Sequence, residues 1–289
     1  MCRFTLYLGP AIRLSALVTE PKNSLIHQSF ESQEREERLN GDGFGVAWYT
    51  REQDQAAEPG LFRSITPAWN NANLQSIARV VKSHCILAHV RAATQVRSVS
   101  EANCHPFVHG PYSFMHNGDL AGFAQYRREL LASLSDEAFE TIRGSTDSEH
   151  LFALLVDELA RRAELAPLER LAAGVEATMA RALELARRHG DEPSTLNLAV
   201  SDGSCAVATR FTNERDEHGE SLHLHRGRRY VCEDGVCRMV PAEKGAAGAV
   251  IVASERLSDD PGWEMVPPNH MVLVSSEREV TLRKLAHDT

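Results

Sequence analysis

Cys2 stands directly behind the initiating methionine. A side chain as small as that of cysteine permits removal of Met1. The freed α-amino group, with a pKa of about 7.7–8.0, then lies within reach of its own thiol as a general base. A thiol of free pKa about 8.5 is only a few per cent thiolate at neutral pH, so a nucleophile carrying its own base needs no histidine. A Met-Cys start also arises by chance and alone says little.

Downstream segments add complementary chemistry. In His89-Val90-Arg91-Ala92-Ala93-Thr94, the Arg91 guanidinium can grip a carboxylate with two parallel hydrogen bonds, or it can be a buried ion-pair partner. In His116-Asn117-Gly118, the Asn117 amide and the Gly118 N–H can form an oxyanion hole; Asn-Gly is also a strong hairpin signal. Asp147, in Gly144-Ser145-Thr146-Asp147-Ser148-Glu149, can accept a substrate ammonium group or cap the helix that follows. Thiol, base, carboxylate clamp, oxyanion hole and ammonium acceptor are together what a γ-glutamyl group calls for. Such a group presents an α-amine and an α-carboxylate at one end and the scissile carbonyl at the other.

Other chemistry is less well supported. Gly41, Gly43 and Gly45 are followed by no Lys-Ser/Thr, which excludes a P-loop. Among 13 histidines and 6 cysteines, Cys232, Cys237, His223 and His225 have a spacing compatible with zinc, but nothing else supports a metal, and the reading calls for no metal and no cofactor.

The elements that must position these residues follow from pattern. The N-terminus reads as a strand rather than a basic and apolar secretory signal, which predicts a cytoplasmic protein with reduced thiols and no disulfide framework. Strands are expected at 43–50, 61–65, 85–90 and 112–116, with a helix over 70–82. Segments 147–163 and 167–189 have helical composition and apolar spacing, the second with Pro167 at its first position. Strands return at 196–200, 206–211, 222–225, 250–253, 271–274 and 280–285, with a hairpin turn at Ser201-Asp202-Gly203-Ser204 and a hairpin loop at 213–220. Strands, paired helices and strands again predict two sheets with helices outside them. A net charge of −9 without a basic cluster argues against nucleic acid, and no apolar run is long enough for a membrane span.

Cys2, Asn40-Gly41-Asp42-Gly43-Phe44-Gly45, the His89–Thr94 run, Asn103-Cys104-His105-Pro106-Phe107, Phe114-Met115-His116-Asn117-Gly118 and Ser145-Thr146-Asp147-Ser148-Glu149 occur in the order seen in class II glutamine amidotransferases, which the sequence resembles. Ile65-Thr66-Pro67-Ala68-Trp69-Asn70-Asn71 and Val252-Ala253-Ser254-Glu255 narrow the likeness to the amidotransferase-like subunit of the fungal alternative glutathione-degradation complex and its bacterial relatives. Ala92 and Gln95 stand where sugar-aminating relatives carry tryptophan and histidine, which argues against that branch.

The resemblance implies an α+β, four-layer αββα sandwich of the N-terminal-nucleophile hydrolase type, in one domain over residues 2–289. It implies that Cys2 is the nucleophile, that Asn117 and Gly118 hold the oxyanion, and that Arg91, Thr94, His105, His116 and Asp147 line the substrate site. The expected reaction is hydrolysis of a γ-glutamyl amide, in glutathione or a related compound, through a thioester. A metallopeptidase-like partner subunit is part of that expectation. The alternatives are a glutaminase subunit delivering ammonia to a partner, a hydrolase in ergothioneine assembly, and a non-catalytic γ-glutamyl-binding subunit.

Overall fold

The computed structural model describes residues 2–34, 40–50, 58–92, 99–214, 219–233, 235–241 and 248–286. The chain opens with a long strand, β1 (Arg3–Arg13), then two single-turn helices, α1 (Ser15–Val18) and α2 (Leu25–Gln28). Next come β2 (Phe44–Trp48), β3 (Gly60–Ser64), α3 (Ala72–Val80), β4 (Lys82–Val90), β5 (Phe107–His109) and β6 (Tyr112–Asp119). A helical block follows: α4 (Phe123–Ala132), α5 (Asp136–Glu140), α6 (Asp147–Ala160) and α7 (Pro167–His189). The remainder is strand: β7 (Thr195–Ser201), β8 (Ala206–Arg210), β9 (His223–Gly227), β10 (Arg229–Glu233), β11 (Val236–Val240), β12 (Ala249–Ala253), β13 (Trp263–Met265), β14 (His270–Val274) and β15 (Val280–Lys284).

These strands form two antiparallel sheets, ordered β13-β9-β12-β1-β4-β2-β3 and β15-β14-β8-β7-β6-β5, plus a β10-β11 ribbon. Side chains alternate across each strand, so each sheet feeds two apolar layers. Phe4, Leu6 and Leu8 of β1 meet Met115, Ala199 and Ala208 of the other sheet, forming the central layer. Tyr7, on the opposite face of β1, packs with Leu17, Leu74 and Ala78 of the helical side. Phe114, Leu198 and Val207 face outwards from the second sheet onto Leu151, Leu155, Leu171 and Val175 of α6 and α7. Apolar cores between helices and sheet, between sheet and sheet, and between sheet and helices make this an αββα sandwich. No described helix is long and apolar enough to cross a membrane.

The long helices end as their sequences predict: α7 has Pro167 at its start and Arg187, Arg188 and His189 in its last turn, where positive charge complements the carbonyl end. At α6 the N-cap is Thr146, whose side chain accepts from Glu149 N at 3.2 Å; Asp147 is the first helical residue rather than the cap.

Two other expectations are corrected. Residues 213–220 do not close a hairpin, because β8 belongs to one sheet and β9 to the other, so the segment connects the sheets; 215–218 lie outside the described residues. Cys232 and Cys237 form a disulfide, because β10 and β11 place them directly opposite each other with Cα atoms 4.1 Å apart. Their sulfurs are thereby used, and His223 and His225 are engaged elsewhere, with Glu34 at 3.0 Å and Asp260 at 3.1 Å. Among the described residues no group of three or more His, Cys, Asp or Glu side chains is arranged to hold a metal.

Candidate active site

Cys2 sits at the leading end of β1, the central strand of its sheet, where the register Arg3↔Val90 brings it beside Arg91 and Ala92. Its thiol points at the Ala92 carbonyl, 3.7 Å away. The next residue fixes its backbone. Arg3 is buried, and its Nη1 donates to the Cys2 carbonyl at 2.8 Å, its Nη2 to Ser32 Oγ at 2.7 Å, and its Nε pairs with Glu255 at 2.6 Å. Glu255 also accepts from the Ser32 hydroxyl and from Gln33 N, while Ser254 exchanges two hydrogen bonds with Phe4. Burial alone would raise the Glu255 carboxyl, but the Ser32 hydrogen bond and the Arg3 charge hold it below its ordinary value.

The Cys2 thiol goes the other way. Burial pushes it up, and the nearby charges of Arg91 and Arg3 offset only part of that. A thiol in this setting is protonated at neutral pH and requires a base.

Arg91 is held by a two-way backbone clasp: its N–H donates to Gly43 O at 2.8 Å, and its carbonyl accepts from Asp42 N at 3.1 Å. Gly43 has φ +119°, and a Cβ there would lie 2.6 Å from Cys104 Sγ, so the glycine-rich turn is what this clasp demands. Arg91 itself is buried.

On the facing sheet, Asn117 is 1% exposed, and among the described residues neither its Oδ1 nor its Nδ2 has a hydrogen-bond partner. An unpaired buried amide costs about 1–3 kcal/mol, and its retention here points to a ligand as its partner. At Gly118 any side chain is barred, since a Cβ would lie 1.8 Å from the Thr195 carbonyl.

Asp147 is positioned from several sides. Its Oδ2 accepts from Leu120 N at 2.9 Å and its Oδ1 from Ser148 N at 2.7 Å. The loop leading to it is pinned by Asn103 Oδ1, which accepts from Ser145 N at 2.8 Å, and by Glu149, which accepts from Arg143 N at 2.8 Å and Gly144 N at 2.7 Å. Arg91 and Asp147 line one cavity of about 440 Å³, together with Asp119, Arg127, Ser145 and Thr146. A guanidinium and a carboxylate on one cavity wall can hold an α-amino acid head group by both its charges.

Neither His105 nor His116 is among the residues that line this cavity. His116 Nε2 donates to Thr195 O at 3.1 Å, and its Nδ1 hydrogen-bonds with Ser148 Oγ at 2.9 Å; both ring nitrogens are thus used within the protein. His105 is buried, with neither ring nitrogen partnered among the described residues, and it stacks on His89 at 4.2 Å. Burial holds the His89 ring neutral, with a pKa of about 3, and lowers His105 well below its ordinary value. Thr94 lies outside the described residues. Ser32 and Arg127 carry no sequence signal, whereas Arg3 directly follows Cys2 and Glu255 ends the Val252-Ala253-Ser254-Glu255 motif, neither with a role that the sequence assigns.

The family model of class II glutamine amidotransferases matches residues 14–287. The chain is 38% identical to a probable glutamine amidotransferase, DUG3, of Saccharomyces cerevisiae, over 96% of this chain and 82% of that protein. It is 28% identical to a γ-glutamyl-hercynylcysteine sulfoxide hydrolase of Mycobacterium tuberculosis, over 99% of this chain and 97% of that protein. A solved glutamine aminotransferase class-II domain protein from Silicibacter pomeroyi superposes with a TM-score of 0.65 at 27% identity, over 99% of this chain and 100% of that one. With the sandwich, the leading cysteine and the charged cavity in place, these matches identify the chain as a member of the class II glutamine amidotransferases.

Proposed function

We propose that this protein hydrolyses γ-glutamyl amide bonds through a thioester on Cys2, with glutathione or a related γ-glutamyl compound as substrate. The observation that carries the reading is the cavity lined by both Arg91 and Asp147, which suits the α-carboxylate and α-ammonium of a glutamyl head. The names of the yeast and mycobacterial relatives, an amidotransferase and a γ-glutamyl hydrolase, support the same substrate class.

The steps follow from the residues. Once Met1 is removed, the α-amine of Cys2 takes the thiol proton, and the thiolate attacks the γ-carbonyl carbon. The Asn117 amide, unpartnered among the described residues, and the Gly118 N–H take the negative oxygen of the tetrahedral intermediate. Collapse breaks the C–N bond, and the leaving amine departs with the proton held by the Cys2 amine. Water, deprotonated by the same amine, then attacks the thioester and releases glutamate and the free thiol.

Glutamate release from glutathione, glutamine and a γ-glutamyl sulfoxide tests this, using protein shown by intact mass to lack Met1 and its Cys2→Ala variant. Turnover of one substrate that vanishes in the variant is the expected result, and the substrate turned over names the leaving group. Equal release by both proteins would sink the thioester mechanism.

A further inference from the structure

The cavity holds more charge than a glutamyl head bound by Arg91 and Asp147 needs. Arg127, on α4, and Asp119, at the end of β6, also line it. Arg127 is held by a device with a defined proton arrangement. His150 Nδ1 lies 2.7 Å from the Thr146 carbonyl, so it must carry the hydrogen, which makes Nε2 of the neutral ring an acceptor. Arg127 Nε donates to that Nε2 at 3.2 Å. The ring is fully buried and braced edge-on by Phe123, with centroids 4.9 Å apart. Burial, followed by the Arg127 charge, keeps His150 below its ordinary pKa and therefore able to accept.

This arrangement uses only the Nε–H of Arg127. Among the described residues no carboxylate forms an ion pair with it, so its terminal nitrogens are available to a ligand in the cavity that the residue lines. The cavity wall is built from Arg91, α4 and the start of α6, around the carboxylate that would hold the substrate amine; Cys2 and Asn117 are not part of it. It therefore corresponds to the α-amino acid end of the substrate and not to the leaving group.

We propose that Arg127 is a second carboxylate-reading residue, which contacts the substrate α-carboxylate together with Arg91 in the cavity both line, and that His150 is its positioning residue. The charges agree: Arg91 and Arg127 balance Asp119 and Asp147, so a zwitterionic head enters a site of no net charge. The inference rests on the γ-glutamyl reading above and deepens it.

The test compares γ-glutamyl p-nitroanilide with 4-aminobutyryl p-nitroanilide, which keeps the amine and the scissile carbonyl but lacks the α-carboxylate. In Arg127→Met, KM for the γ-glutamyl compound should rise tenfold or more, the size expected for loss of a hydrogen bond to a charged group, with kcat within about twofold. The kcat/KM of the 4-aminobutyryl compound should stay unchanged. His150→Gln, which retains an acceptor, should keep the discrimination between the two substrates, and His150→Leu should lose it. An equal loss on both substrates, or none on either, would overturn the assignment. Should Arg127→Met fail to fold, Arg127→Lys gives the same comparison: a loss confined to the γ-glutamyl compound supports the role, and a uniform loss overturns it. Wild-type protein that turns over neither compound would overturn the γ-glutamyl reading and this proposal together. Unaltered discrimination in the variants of an active enzyme counts against Arg127 alone.

Discussion

Arg3 and Glu255 form a buried ion pair, 2.6 Å from Nε to carboxylate, between residues 252 apart in sequence. The same guanidinium holds the Cys2 carbonyl at 2.8 Å, so the first residues of the chain beside the candidate nucleophile are tied to the segment that follows β12. Cys2 is thus held in place at the leading end of the central strand.

Removing one partner of that pair should cost stability before anything else. Glu255→Ala leaves the Arg3 charge buried without its counter-ion, a loss of about 3–5 kcal/mol. The pH dependence has a defined sign. The Glu255 carboxyl is held below its unfolded value of about 4.3, so its contribution is fully present above that pH and is lost as pH falls through the lower folded value. Thermal melts from pH 7 down to pH 3 should show a steeper acid decline in the wild type than in Glu255→Gln. Parallel curves would mean that the pair contributes nothing of this kind.

Asn117 should separate activity from stability. Its amide is buried and, among the described residues, unpartnered, so Asn117→Ala removes an unsatisfied group and should melt no lower than the wild type by more than a small cavity term. Glutamate release should nevertheless fall by roughly 10²–10³ in kcat, the loss typical of a deleted oxyanion donor. A melting temperature that drops in step with activity would assign the amide to structure instead.

Periodicity made part of this architecture readable. The alternation Phe4, Leu6, Leu8 against Tyr7 marks a strand buried on both faces, and the spacing Leu171, Val175, Met179 marks the core face of α7. Other elements carried too little signal. Helix α4 buries only Tyr126 and Leu130 amid charged residues, and the β10-β11 ribbon consists of short segments whose pairing also creates the Cys232–Cys237 bond. Within the site, Arg91, Asn117 and Asp147 stood out because their types suit a ligand and short motifs surround them. The Arg3–Glu255 pair and the His150–Arg127 hydrogen bond arise from chain crossings that no local pattern encodes. His116 stood out for the same reason as Asn117, yet its ring nitrogens go to Thr195 and Ser148, a distinction set entirely by the partner strand and α6.

Gly118 should tolerate no side chain. A Cβ would meet the Thr195 carbonyl at 1.8 Å and His116 Nε2 at 2.8 Å, and a backbone neighbour within a paired sheet cannot rotate away. Gly118→Ala should therefore lower the melting temperature and abolish glutamate release together, the opposite pattern to Asn117→Ala. A stable, active alanine variant would show that β6 and β7 separate more easily than their register implies.

The pH profile of turnover should report the base rather than the thiol. Burial raises the Cys2 thiol above its ordinary value, so at neutral pH the nucleophile is S–H and the rate depends on a group that can take its proton. If that group is the Cys2 α-amine, with an unperturbed pKa of about 7.7–8.0, kcat/KM should rise with pH as the ammonium loses its proton. Protein that retains Met1 has this nitrogen locked in a peptide bond and should be inactive at every pH, and enzymatic removal of the methionine should restore turnover. Activity in a preparation whose intact mass shows full retention of Met1 would place the base elsewhere. The buried, neutral His89 and His105 would not qualify, since both are held well below the range in which an imidazole could accept and keep a proton at neutral pH.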